Sequence, residues 1–137
     1  KYPTSENEFI QPKYPYALTK YLGECIAIHW SEVYKIPVTS LRFFNVYGEG
    51  QSNEYAGVIT KFIKNIVDNK SLEIFGTGMQ TRDFVAVQDV IGAIYNAMIN
   101  GQNKIYNIAS GRAITIKELA ETISAMKIKF IHLLNFN

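Results

Sequence analysis

The chain has 137 residues, 47% of them hydrophobic and 19% charged, with a formal net charge of +2. That length and balance argue for one folded domain with a real core and against disorder. The small net charge, with no basic stripe, argues against a nucleic-acid partner, and the lone Cys25 leaves no internal disulfide and no thiolate metal site.

No apolar run reaches the roughly 18 residues of a membrane span, and no signal peptide opens the chain. A reducing, cytoplasmic setting fits the single cysteine. The first residue is Lys1 and not Met, and the sequence reads as beginning in mid-fold, so an excerpt of a longer protein is expected.

Residues 1–15 carry Pro3, Pro12 and Pro15 among polar residues and read as an extended loop. Pro15 suits the first turn of a helix predicted from about Tyr16 to Tyr34. Leu18, Leu22, Cys25, Ile26, His29 and Val33 follow the spacing of a buried stripe, with His29 expected packed and hydrogen-bonded. Gly23 is expected to admit another element closely.

Tyr16 and Lys20 fall one turn apart on that helix and share a face. An ammonium beside a phenol favours the phenolate. Bringing a phenol from its usual pKa of about 10 to about 7 takes roughly 4 kcal/mol and yields a base usable at neutral pH. Alone, the spacing equally describes a surface lysine packed over a tyrosine ring.

Ile36-Pro37 ends the helix. Val38 to Phe44 reads as a buried strand, so helix then strand predicts a parallel, crossover-built sheet. Asn45 follows directly, where ligands gather in open α/β sheets, although a turn-forming asparagine is the plainer role. A second helix is predicted over about Tyr55 to Asn69 and a strand over Leu72–Phe75. Gly76-Thr77-Gly78 is a turn; it lacks the third glycine of a dinucleotide fingerprint and opens no helix. A strand over Gln80–Val87 leads to a third helix, Val87 to Asn100, with Val90, Ile94, Ala97 and Met98 on one side. Lys104–Ile108 is a further strand. Thr115 to Glu118 has the form of a capping box opening a fourth helix, whose core face is Ile116, Leu119, Ala120 and Ile123. Residues 127–137 could form a last strand or a loosely held apolar end.

Separated segments then agree with one family. They are Tyr-Ala-Leu-Thr-Lys at 16–20, Leu-Arg-Phe-Phe-Asn-Val-Tyr-Gly at 41–48, Tyr-Ala-Gly-Val-Ile at 55–59, Ile-Phe-Gly-Thr-Gly-Met-Gln-Thr-Arg-Asp-Phe-Val at 74–85, Asp89-Val90 and Tyr-Asn-Ile-Ala-Ser-Gly at 106–111. In that order they resemble the extended short-chain dehydrogenase/reductases, in particular the NAD-dependent nucleotide-sugar epimerases and dehydratases of the UDP-sugar 4-epimerase type.

The resemblance implies an α/β fold: the C-terminal portion of a Rossmann-like parallel-sheet fold plus part of a small substrate-binding domain. It divides the chain at 1–54, the NAD-side part with the tyrosine helix, and 55–137, mostly nucleotide-sugar binding, with an atypical tail at 127–137. It implies Tyr16 as acid/base and Lys20 as partner to the phenolate and the nicotinamide ribose. Phe43 and Phe44 would wall the nicotinamide and sugar pocket. Asn45 would bond the substrate near its phosphates and Arg82 would pair with the diphosphate, with Asp83 and Asp89 as supporting or ribose contacts. The implied reaction is C4 epimerisation of a UDP-sugar through a 4-keto intermediate, with hydride passing to NAD and back. A 4,6-dehydratase, a reductase or a non-catalytic nucleotide-sugar-binding fragment are the alternatives. No metal is implied, and a homodimer through the Tyr16 helix is. Missing from the family's pattern are a glycine-rich strand–turn–helix and a catalytic Ser/Thr upstream of Tyr16, so this chain by itself is expected to bind NAD poorly.

Overall fold

The structure is a computed structural model and describes residues 3–52, 54, 56–101 and 103–134, with side chains as far as Met126. The chain forms two compact units. One takes the residues up to Phe44 and Gln88–Ile108; the other takes Asn45–Val87 and the residues from Ala109 on. The two units interleave along the chain.

In the first unit, α1 spans Pro15–Tyr34, close to the predicted helix, with Pro15 at its start and Lys35 ending it in the left-handed region at φ 56°. The face turned inward is not the expected stripe. Ala17, Tyr21, Glu24, Ile28 and Ser31 are half-buried, whereas Leu18, Leu22, Ile26 and Val33 are exposed, as are Cys25 and His29. A Cβ on Gly23 would meet nothing within 4 Å, so the expected close approach is absent among the described residues.

An ion pair explains the choice of face. The Glu24 carboxylate accepts Arg42 Nε at 2.8 Å, Arg42 Nη2 at 2.6 Å and the Ser40 hydroxyl at 2.8 Å. A bidentate guanidinium–carboxylate fork of this kind is strong and directional. Arg42 Nη1 donates to the Glu6 carbonyl at 2.9 Å, and the Asn107 side chain donates to the Thr4 carbonyl at 2.8 Å. The N-terminal loop is therefore tied down by polar contacts.

Behind α1, β1 (Ser40–Phe43) runs parallel to a later strand, Ile105–Ile108, with Ser40 opposite Ile105 and Phe43 opposite Ile108. The predicted strand through Phe44 is shorter than expected. The chain leaves it for β2 (Asn45–Tyr47), which belongs to the other unit's sheet.

In that second unit, β2 leads through α2 (Val58–Val67) to β3 (Thr81–Ala86), which pairs parallel to β2 with Asn45 opposite Phe84. This is the crossover geometry expected. The predicted strand Leu72–Phe75 makes no ladder; Leu72 and Ile74 instead pack against the core. Gly78 is buried at φ +73°, and a Cβ there would stand 3.0 Å from Ile74 Cγ2. Its carbonyl accepts the Lys117 N–H at 3.0 Å, so the turn satisfies the start of a later helix.

α3 (Val87–Asn100) matches its prediction. Val90 is buried and Ala93 and Ala97 half-buried, while Ile94 and Met98 are exposed. β4 (Ile105–Ile108) is the partner of β1 described above. β5 (Ala113–Thr115), not expected, pairs antiparallel to β3. α4 (Ile116–Leu134) follows. The Thr115 hydroxyl accepts the Glu118 N–H at 3.0 Å, half of the expected capping box; the Glu118 carboxylate pairs with Arg112 at 3.0 Å instead of reaching back. Residues 127–134 are helical and not a strand, and 135–137 lie outside the described residues.

The core lies here: Phe62, Ile116, Leu119, Ala120 and Ile123 are buried, with Val58, Ile59 and Ile66 against them. The face predicted for α4 is the face buried. Burying Phe62 alone is worth roughly 2–3 kcal/mol. Among the described residues no helix is long and apolar enough to cross a membrane.

Candidate active site

The expected site residues divide between the two units. In the first, Tyr16 and Lys20 meet as their spacing predicts: the ammonium lies 5.4 Å from the centroid of the phenol ring. That is cation–π range. Tyr16 is 74% exposed, so its hydroxyl is open to a ligand. Its helix is held by the Glu24–Arg42 pair two turns on. Arg42 keeps the Glu24 carboxyl below its usual 4.5. The Asn107 backbone N–H does the same for Glu6. Phe43 closes β1 half-exposed, and Phe44 is half-buried with its N–H on the Ile108 carbonyl at 3.0 Å.

In the second unit, Asn45 and Arg82 line one cavity of about 390 Å³ with Gln51, Glu73, Phe75 and Gln80. Asn45 Nδ2 donates to the Asp83 carbonyl at 2.9 Å, which fixes the amide. Arg82 is exposed and spends one N–H on the Thr81 carbonyl at 2.8 Å, leaving the rest of its fork for a ligand. Asp83 differs from the expected substrate contact. Its side chain is 1% exposed and accepts the Ser110 N–H and hydroxyl, both at 2.8 Å, and the Gly111 N–H at 2.9 Å. The carboxylate braces that turn and does not line the cavity. Asp89 is exposed in the first turn of α3.

Gln51, Glu73, Phe75 and Gln80 were not foreseen. Phe75 is 80% exposed, and Gln80 Nε2 donates to its carbonyl at 2.9 Å. An aromatic and an amide flanking a glycine turn were the available signal. A larger apolar groove of about 980 Å³, between α2 and α4, contains none of the expected site residues. No three His, Cys, Asp or Glu side chains gather as a metal would need among the described residues.

Parallel strands joined through a helix define an α/β protein; Phe43 closes β1, whereas Asn45 opens β2 and Arg82 is the second residue of β3. A profile of the NAD dependent epimerase/dehydratase family matches residues 1–109, and the chain belongs to that family. It is 44% identical over 122 residues to a Methanocaldococcus jannaschii protein provisionally named UDP-glucose 4-epimerase, a match covering 88% of this chain and 40% of the relative. The fold is likewise similar to the crystal structure of Thermotoga maritima UDP-glucose 4-epimerase with UDP-glucose. The TM-score is 0.90 at 34% identity, covering 93% of this chain and 41% of that one. A Bacillus anthracis dTDP-glucose 4,6-dehydratase in complex with NAD matches with a TM-score of 0.82 at 30% identity, covering 88% of this chain and 38% of that one. The fold is therefore α/β and Rossmann-like, and the chain spans about two fifths of the relatives it matches.

Proposed function

We propose that this chain is the C-terminal part of an NAD-dependent enzyme that epimerises C4 of a UDP-sugar, such as UDP-glucose or UDP-galactose. In this reading residues 1–54 complete the cofactor side and 55–137 form most of the nucleotide-sugar side. The observation that carries it is the cavity uniting the Asn45 amide and the Arg82 guanidinium. Both present N–H groups, and a guanidinium fork suits diphosphate oxygens. The Tyr16–Lys20 pair adds an exposed phenol beside a cation.

The Tyr16 phenolate takes the proton from the sugar 4-hydroxyl, and Lys20 stabilises that phenolate. Asn45 and Arg82 hold the diphosphate while the 4-keto sugar turns about its link, and Tyr16 then returns the proton. Phe43 and Phe44 wall the sugar and nicotinamide. NAD, when bound, supplies the acceptor and donor of the C4 hydride. Tyr16 and Lys20 fit the nicotinamide-ribose end of that cofactor, offering a hydroxyl and an ammonium to a diol. For its pyrophosphate, no Gly-x-Gly-x-x-Gly turn joins a strand directly to a helix among the described residues. The exposed α1 stripe of Leu18, Leu22, Ile26 and Val33 supports a homodimer through that helix.

A nucleotide-sugar 4,6-dehydratase is the second reading, supported by the likeness to the Bacillus anthracis enzyme. The test is incubation of the whole protein that carries this chain with NAD and UDP-galactose. UDP-glucose as product is expected; a 4-keto-6-deoxy sugar would favour the dehydratase, and no turnover with retained UDP-galactose binding would favour a binding role.

A further inference from the structure

We propose that Gln51 is a phosphate-binding donor of the nucleotide cavity and that Thr60 aims its amide. The inference rests on reading the cavity as a nucleotide-sugar site. Gln51 lines the cavity and Thr60 does not. Thr60 stands behind it on the first turn of α2, where its hydroxyl donates to Gln51 Oε1 at 2.5 Å. A carboxamide has one acceptor oxygen and one nitrogen carrying two donors. With the oxygen turned to Thr60, the nitrogen is the end left for the cavity.

Its position follows from a second observation. A Cβ built on Gly57 would lie 3.6 Å from Gln51 Nε2, and Gly57 is itself part of the cavity wall. The amide nitrogen therefore sits beside the start of α2, on the wall shared with Asn45 and Arg82. These three side chains all offer N–H groups, against the single Glu73 carboxylate of the lining. A wall rich in donors suits oxygens that carry no hydrogen, which favours phosphate over a sugar hydroxyl.

The plain alternative is that the Gln51–Thr60 bond only pins Gln51 to α2. It predicts lost stability with unchanged affinity, so ligand binding separates the two. The full chain is titrated calorimetrically with UDP and with uridine, and each variant is melted. Gln51→Glu keeps the oxygen facing Thr60 and the side-chain size but puts a carboxylate oxygen where the donors were. UDP affinity should fall about tenfold or more, while uridine affinity changes by less than about twofold. Thr60→Val frees the amide and should weaken UDP about threefold, and Thr60→Ser, which restores a hydroxyl, should recover wild-type affinity.

Unchanged UDP affinity in Gln51→Glu would overturn the proposal. An equal loss for UDP and uridine would also overturn it, placing the amide on the nucleoside. Arg82→Ala separates the levels. If it weakens UDP and Gln51→Glu does not, the cavity reading stands and this inference falls. If the unaltered chain binds no UDP, the cavity reading falls and takes the inference with it.

Discussion

In the unit built on β2, α2, β3, β5 and α4, Phe62, Val85 and four residues of α4 are buried; in the unit built on α1, β1, α3 and β4, Val90 alone of the described apolar residues reaches that depth. The second of these is organised by polar contacts: Glu24 with Arg42 and Ser40, Arg42 with the Glu6 carbonyl, and Asn107 with Glu6 and Thr4. Apolar burial is indifferent to pH and forgiving of direction. A bidentate ion pair has one geometry and needs its charges. The unit that presents Tyr16 is thus directionally fixed and acid-sensitive, and the unit that presents Asn45 and Arg82 rests on an ordinary core.

The contrast can be broken at several points. Tyr16→Phe removes the transferable proton from an exposed side chain. In the whole enzyme, turnover should fall about 10²–10⁴-fold, while the melting temperature stays put; a comparable loss of stability would contradict the role given to that hydroxyl. Phe62→Ala opens the α2–α4 core and should cost about 3–5 kcal/mol in a denaturant melt, little changed by pH.

Arg42→Ala strands Glu24, whose side chain is 10% exposed, and should cost about 2 kcal/mol near neutrality. That loss is pH-dependent in a definite sense. The Glu24 carboxyl is held below its usual 4.5 by Arg42, so the pair's contribution is fully present above that value and disappears as pH falls through the lowered folded value. Glu6, held down chiefly by the Asn107 N–H, has the same sign. Parent and Arg42→Ala should therefore converge in acid, and a constant gap across pH would count against the ion pair. Thr115→Ala removes the helix cap on α4 and should cost about 1 kcal/mol, the smallest of these effects.

The span of α3 and the core face of α4 were legible, the latter because period and the Thr115 cap agree, whereas Ile94 and Met98 of the expected α3 face are exposed. On α1 the apolar period pointed to the wrong face. Glu24 turns inward for a partner in β1, and a pairing across elements leaves no mark on local periodicity. β5 has three residues, too few for an alternation to register. Leu72–Phe75 alternates correctly, yet its apolar side chains serve the core without a ladder. At the site, Tyr16, Lys20, Asn45 and Arg82 stood in motifs. Gln51 did not, because what aims it is Thr60, nine positions on and in the next helix.

The most direct test of C4 epimerisation follows the hydrogen itself. UDP-galactose deuterated at C4 is given to the whole enzyme with NAD, and the product is read by NMR. The deuterium should be recovered at C4 of UDP-glucose. Deuterium at another carbon, or a C4 that has exchanged it for solvent hydrogen, would contradict the account.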